Sequence, residues 1–389
     1  MQIIWVESGE DEKNFLRVAE ELYRHDPKWI RPLDKDILDT FNPEKNKAFR
    51  FGKAARWVLL DESGKLAGRI AAFVNSKYKN KGDTGPAGGI GYFECINNQD
   101  CANLLFDNAR HWLIKEGMQA MDGPINFGER DRFWGLVTRG FMEPLYAMNY
   151  NPPYYATLFE EYGFKPFYHQ ICLSLDPKAT LAQKIYDKHR QLAADPNNRA
   201  EHLRKKNLEK YARDFTTVYN AAWAGHGGLK EMTFQQVMMM FRKMKPVMDE
   251  RIIWFAYHNN EPVALFVNLP DLNQWFRFLN GKFGLWQKLK FLWLKRFRPN
   301  KKFVGLVFGV IPAWQGKGMD SFLIGESHKL FAGPNMPYTE YEMQWIGDFN
   351  PKMINVGKGL GDVSETRRLT TYRYLFDRTA PFNRHPLLN

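Results

Sequence analysis

Only three cysteines, Cys95, Cys101 and Cys172, occur in 389 residues, and no two form a CxxC pair. That scarcity excludes a disulfide framework, argues against a structural zinc site and fits a reducing compartment. His111, His169 and His226 have no metal-like spacing, so no metal is expected. Long hydrophobic runs are also missing. The longest near-apolar stretch, Phe303 to Trp314, falls short of the ~20 residues that a bilayer-spanning helix needs. The opening residues reach Glu7, Glu10, Asp11 and Glu12 before any long apolar run, unlike a secretory signal. The chain reads as soluble and cytoplasmic.

Acidic residues are scarce in one place. None lies between Asp271 and Asp320, where ten basic residues do: Arg277, Lys282, Lys288, Lys290, Lys295, Arg296, Arg298, Lys301, Lys302 and Lys317. The formal net charge of +12 is correspondingly uneven. Residues 1–176 carry 22 basic and 25 acidic side chains, a net of −3, which leaves +15 for residues 177–389. Hydrophobic residues make up 44% and aromatics 15%, enough for a sizeable core and heavy enough in rings to suggest aromatic-lined clefts.

Both halves repeat one order of elements. Arg56–Asp61 and Leu66–Asn75 flank a turn with Gly64, and residues 252–257 and 263–268 flank Asn259-Asn260. Ala72-Phe73-Val74-Asn75 echoes Leu265-Phe266-Val267-Asn268, and Asn151-Pro152 before Gly163 echoes Asn350-Pro351 before Gly361. In each half a strand, a helix, a strand, a short helix and a final strand follow the hairpin. An internal duplication of about 180 residues is the simplest account. The expected division is 1–177, a helical connector at 178–198, and 199–389 with an insertion at 271–302. The expected fold is α/β (α+β in some schemes), with two domains that are each a mixed, mainly antiparallel sheet flanked by helices.

The most specific stretch runs from Gly309 through Leu323, a β-branched strand, a turn containing Gly316 and Gly318, and a helix. Such a turn points several amides into one concavity at the positive end of a helix, which suits a pyrophosphate. Lys317 adds a cation. Strand, Val310-Ile311-Pro312, then Gln315-Gly316-Lys317-Gly318 before a helix resembles the acyl-CoA signature of the Gcn5-related N-acetyltransferases. That signature reads Gln or Arg, two residues, Gly, one residue, then Gly or Ala. Gln315 and Gly318 match, and Asp320 departs at the last position, where an acid repels a pyrophosphate unless it turns away or caps the helix. Asn350 to Gly361 is similar to the family's second signature, and Asn151 to Phe164 is a cleaner version. At the place of the turn the first half reads Asn97-Asn98-Gln99-Asp100, without glycine.

The resemblance covers nearly the whole chain as a tandem pair with a degenerate first phosphate turn. It implies an N-acyltransferase working in the second domain, with acetyl-CoA or another acyl-CoA as co-substrate and a small-molecule or peptide amine as acceptor. Val310, Gln315, Gly316, Lys317, Gly318, Met319, Asp320 and Asn350 would hold the cofactor. Glu340, Glu342 and Gln344 share one strand face and Tyr341, Met343 and Trp345 the other; Glu342 or Glu340 is the expected base, acting through a water. The family's proton donor to the thiolate is a tyrosine in the second signature, which residues 352–360 lack, so Tyr372, or Tyr374, would substitute. The loop Gly123–Asp131, which mixes a rigid turn with clustered charge, is expected to be an ordinary structured loop, with lining the cleft between domains as the alternative. The alternative is an inactive protein of the same fold that binds a membrane surface or acidic partner through its basic insertion.

On a helix, Leu285, Trp286, Leu289, Leu292, Trp293 and Phe297 of that insertion form one broad face, with Lys288, Lys295 and Arg298 opposite. That face is expected to point inward, covering the second sheet and leaving the cations solvated; the alternative is that it points outward and lies on an anionic membrane. No nucleic-acid motif accompanies the charge, so nucleic acid is not an expected partner.

Overall fold

The computed structural model describes residues 1–223 and 231–388; His226 lies outside them. Among the described residues, fourteen strands form one mixed sheet: β1 (Gln2–Trp5), β2 (Gly52–Leu60), β3 (Leu66–Asn75), β4 (Ala87–Cys95), β5 (Ala120–Gly123), β6 (Leu136–Arg139), β7 (Lys165–Leu175), β8 (Asn198–His202), β9 (Ile253–His258), β10 (Glu261–Pro270), β11 (Lys302–Val310), β12 (Glu340–Met343), β13 (Ile346–Gly347) and β14 (Ser364–Leu375). Helices flank the sheet, as the sequence leads one to expect. No helix among the described residues is long and apolar enough to cross a membrane.

The strand order is β1-β2-β3-β4-β5-β14-β7-β12-β11-β10-β9-β8, with β6 on β14 and β13 on β7. Five strands of the first half run inward from one edge and five of the second half from the other. The two central strands have changed places. β14, last in the chain, pairs antiparallel with β5 of the first half, and β7 pairs with β12 of the second. β14 and β7 also pair with each other from Ser364↔Ser174 to Arg373↔Lys165. The division expected at 178–198 follows the chain, while the sheet crosses it.

Two buried ion clusters tie β14 to both halves. Glu342 of β12 is fully buried. The Arg367 guanidinium on β14 donates to both its oxygens, at 2.7 and 3.1 Å, and Lys302 Nζ on β11 donates at 3.0 Å. Burial alone would raise the Glu342 carboxyl; the Arg367 and Lys302 charges outweigh that and hold it below the usual range. In the first half, Arg373 of β14 donates to both oxygens of fully buried Asp122 on β5, at 2.6 and 2.7 Å.

The connector folds as a helix, Gln183–Ala193, packed on the helix Met319–Phe331. Gly325 permits the contact, since a Cβ there would lie 2.5 Å from the His189 ring. His189 stacks on Phe322 and meets Glu326 at 2.7 Å. The insertion forms a short helix, Asn273–Phe276, and a longer one, Leu285–Phe297. In the longer helix Phe291 and Leu294 face inward and pack with Trp275, Phe276 and Leu279. The face expected to cover the sheet points to solvent instead. β5 stops at Gly123, because Pro124 has no N–H for the ladder. The strand expected over residues 339–345 divides into β12 and β13, since Gln344 N turns aside to bond Gly305 O at 3.1 Å.

Removing one partner of a buried ion cluster leaves uncompensated charge, at a cost of about 3–5 kcal/mol. Glu342→Gln is therefore expected to lower unfolding free energy by that order in urea titrations. A carboxyl held low in the folded state stabilises above its unfolded pKa of ~4.3, and the contribution is lost as pH falls through the folded value. Stability of the parent protein should thus fall more steeply below pH ~4.3 than that of the variant.

Candidate functional site

β11 and β12 run parallel in register from Lys302↔Glu340 to Gly305↔Met343 and then part. At that point β11 carries one extra residue. Gly305 opposes Asn268 and Val307 opposes Val267, which leaves Leu306 unmatched. A bulge of this kind bends its strand and takes an amide out of the ladder. The result is a wedge. The first half begins the same way, with β4 and β5 parallel from Ala87↔Ala120 to Gly89↔Asp122 and a register shift opposite Arg69–Ala71. There the wedge is filled: Ile125 N donates to Ile90 O at 2.7 Å, and a Cβ on Gly91 would lie 2.0 Å from the Ile125 carbonyl oxygen.

The second-half wedge is open and leads into a cavity of about 570 Å³. Phe266, Phe303, Phe308, Phe331, Met343 and Trp345 are among its walls. A large apolar cavity with few polar groups suits a ligand with an extended hydrocarbon part. Its polar groups include Gln344, Asn350, His328 and Tyr341. Asn350 caps the helix Pro351–Lys358 by accepting from Met353 N at 3.2 Å. His328 Nε2 faces the Ala179 carbonyl at 2.9 Å, so that nitrogen is the donor and Nδ1 remains an acceptor in the neutral ring. Tyr341 stacks on Phe303 and sets its hydroxyl against Gly305, where a Cβ would lie 2.2 Å from the oxygen. Burial raises the Tyr341 phenol. It makes no hydrogen bond among the described residues. Alternation along the sequence assigns Tyr341 to the strand face away from the acids; its place beside the bulge shows only in the register.

Beyond Val310 a short 3-10 turn, Pro312–Trp314, leads to Gly316 and Gly318, both in the left-handed region at φ 71° and 93°. An L-residue is disfavoured in that region, so glycine is required at both. Gln315 Nε2 donates to Val310 O at 3.0 Å and holds the turn to its strand. Nothing lies within 4 Å of a Cβ placed on Gly316, while Gly318 is covered by Lys188 and Leu192 of the connector helix. Lys317 lies over the Trp314 ring, at 5.6 Å. Met319 is buried, and Asp320 is half-buried in the first helical turn, where it caps nothing. The turn and the helix dipole there suit an anion.

The expected catalytic residues lie elsewhere. The Glu342 carboxylate is held by two cations and does not line the cavity; it ties the sheet together. Glu340 is part-exposed and paired with Lys302 at 2.6 Å. Tyr372 is buried in the first half's core, where its hydroxyl donates to Glu160 at 2.8 Å, because β14 carries it across to β5. Tyr154 and Tyr155 donate to Cys95 O and to Glu94, each at 2.8 Å. The loop after Gly123 lines, with Lys243 of the second half, a polar groove of about 930 Å³.

No family model matches the chain. It is 24% identical over 372 residues to a protein of Caulobacter vibrioides named bacterial ceramide synthase, covering 93% of this chain and 94% of that one. Among solved structures it is similar to a tandem GNAT protein from the clavulanic acid biosynthesis pathway, with a TM-score of 0.51 and 11% identity over 98% of this chain and 99% of the other. A GCN5-related glucosamine N-acetyltransferase region of a fungal multi-domain β-N-acetylglucosaminidase matches 96% of this chain, with a TM-score of 0.53 and 11% identity; the chain spans 38% of that enzyme. The fold is that of the tandem Gcn5-related N-acetyltransferases.

A fluorescent long-chain fatty acid is expected to bind the cavity in equilibrium titrations. Val356 lines the cavity and is 40% exposed, so Val356→Trp should weaken that binding tenfold or more without unfolding the protein.

Proposed function

We propose that the protein transfers a long acyl chain from acyl-CoA to an amine, working in the wedge between β11 and β12. One observation carries this reading. A single strand leads from an apolar cavity, past the unmatched Leu306, to a glycine turn at its far end. Leu306 to Val310 spans about 13 Å at ~3.3 Å per residue, a fitting reach for a pantetheine arm lying along β11. The cavity favours a long chain over the acetyl group expected from sequence. A ceramide is a fatty amide, so similarity to a protein named a ceramide synthase supports the same pairing of chain and amine.

Acyl-CoA supplies the thioester whose carbonyl an amine attacks. The amides around Gly316 and Gly318, with Lys317, would hold its pyrophosphate. The bulge leaves Leu306 unmatched in the register, and its amide would face the carbonyl oxygen as charge develops there. Tyr341, with its hydroxyl unpaired beside Gly305, would give its proton to the leaving sulfur; burial keeps it protonated at neutral pH. His328 Nδ1 would accept the proton lost by the amine.

Calorimetric titration should show affinity rising from acetyl-CoA to palmitoyl-CoA, and no binding of any of them at millimolar concentration would overturn the reading. Gly316→Val should weaken CoA itself while leaving fatty-acid binding in place. Tyr341→Phe is expected to lower kcat about a hundredfold, the usual size for a lost general acid, with KM and the thermal midpoint little changed.

A further inference from the structure

The Leu285–Phe297 helix turns its apolar side outward. At 100° per residue, Leu285, Leu289, Leu292, Trp286, Trp293 and Phe297 fall within an arc of about 140°. These six side chains are 51–78% exposed. Phe291 and Leu294, on the far side of the helix, are 4% and 3% exposed. They seat it on Trp275, Phe276 and Leu279, so the outward face is rigidly mounted. Lys288 lies at one margin of the apolar arc, Lys290 at the other and Arg296 within it, with Lys282 and Lys301 exposed nearby. None of these five cations forms an ion pair among the described residues, and no acid occurs from residue 272 to 319.

We infer that this helix lies in the headgroup region of an anionic bilayer and docks the protein on it. A helix of 13 residues is about 20 Å long, too short to cross a bilayer but well suited to lie in its plane. Its leucines and Phe297 enter the acyl boundary, the two tryptophans sit at headgroup level, and the cations meet lipid phosphates. A second copy of the chain is the poorer occupant. A two-fold contact would bring the Lys288, Lys290 and Arg296 of one copy against the same residues of the other. A nucleic-acid backbone fits the cations but leaves six apolar side chains uncompensated. The inference does not depend on the acyl-transfer reading, because it concerns a different face and needs no catalysis.

Flotation of the full-length protein with vesicles tests it. Vesicles of phosphatidylcholine and phosphatidylglycerol at about 7:3 should bind at least tenfold more protein than phosphatidylcholine alone, and about 0.5 M salt should weaken the binding. Leu289→Glu with Trp293→Glu, and separately Lys288→Glu with Arg296→Glu, should each abolish flotation. All four positions are exposed, so circular dichroism and the thermal midpoint should stay unchanged. Failure of the parent protein to float, or equal flotation of the glutamate variants, overturns the inference. So does a dimer in buffer by sedimentation velocity that the Leu289→Glu, Trp293→Glu protein dissolves.

Discussion

The buried contact of Glu342 with Arg367 and Lys302 organises the rest of the molecule. It joins three strands of the second half, β11, β12 and β14, and so anchors the strand that crosses into the first half. A carboxylate wholly out of water is tolerable only when cations and hydrogen bonds replace its hydration. Here Arg367 supplies two bonds and Lys302 a third. The partners fix the register in which β14 enters between β7 and β5. Arg373, six residues further along the same strand, repeats the device with Asp122. One strand thus carries a charged fastening for each half.

From that arrangement follows the asymmetry of the two wedges. Both halves part a parallel strand pair beside a register shift. In the first, backbone from the 124–136 loop occupies the opening. In the second, the opening is walled by rings and lies along the strand that ends at Gly316 and Gly318. Of the two wedges, the second is the open one among the described residues, and the connector helix, packed on the 319–331 helix, covers Gly318 of the glycine turn.

The sequence was most legible where one local rule governed. The hairpins around Gly64 and Asn259-Asn260, the helix over 319–331 and the glycine turn all follow from turn chemistry and periodicity. The exchange of β7 and β14 could not be read, since pairing between residues 170 and 369 has no local signature. That exchange took Tyr372 away from the site and turned Glu342 into a fastening. Alternation placed Glu342 and Tyr341 on opposite strand faces, but not which face the cavity adjoins. The insertion helix shows the same gap. Its apolar face was evident, whereas the direction it points depends on Phe291 and Leu294 finding Trp275 and Phe276.

The exchanged strand also sets the order in which the protein can be completed during synthesis. When the ribosome has made β1 to β7, β5 has an open edge and β7 has none of its strand partners, and both wait for a segment some two hundred residues downstream. Open edges are where chains pair wrongly, and such long-range closure is slow. The first half to emerge is therefore the last to be finished, because its part of the sheet closes only once β14 has been made.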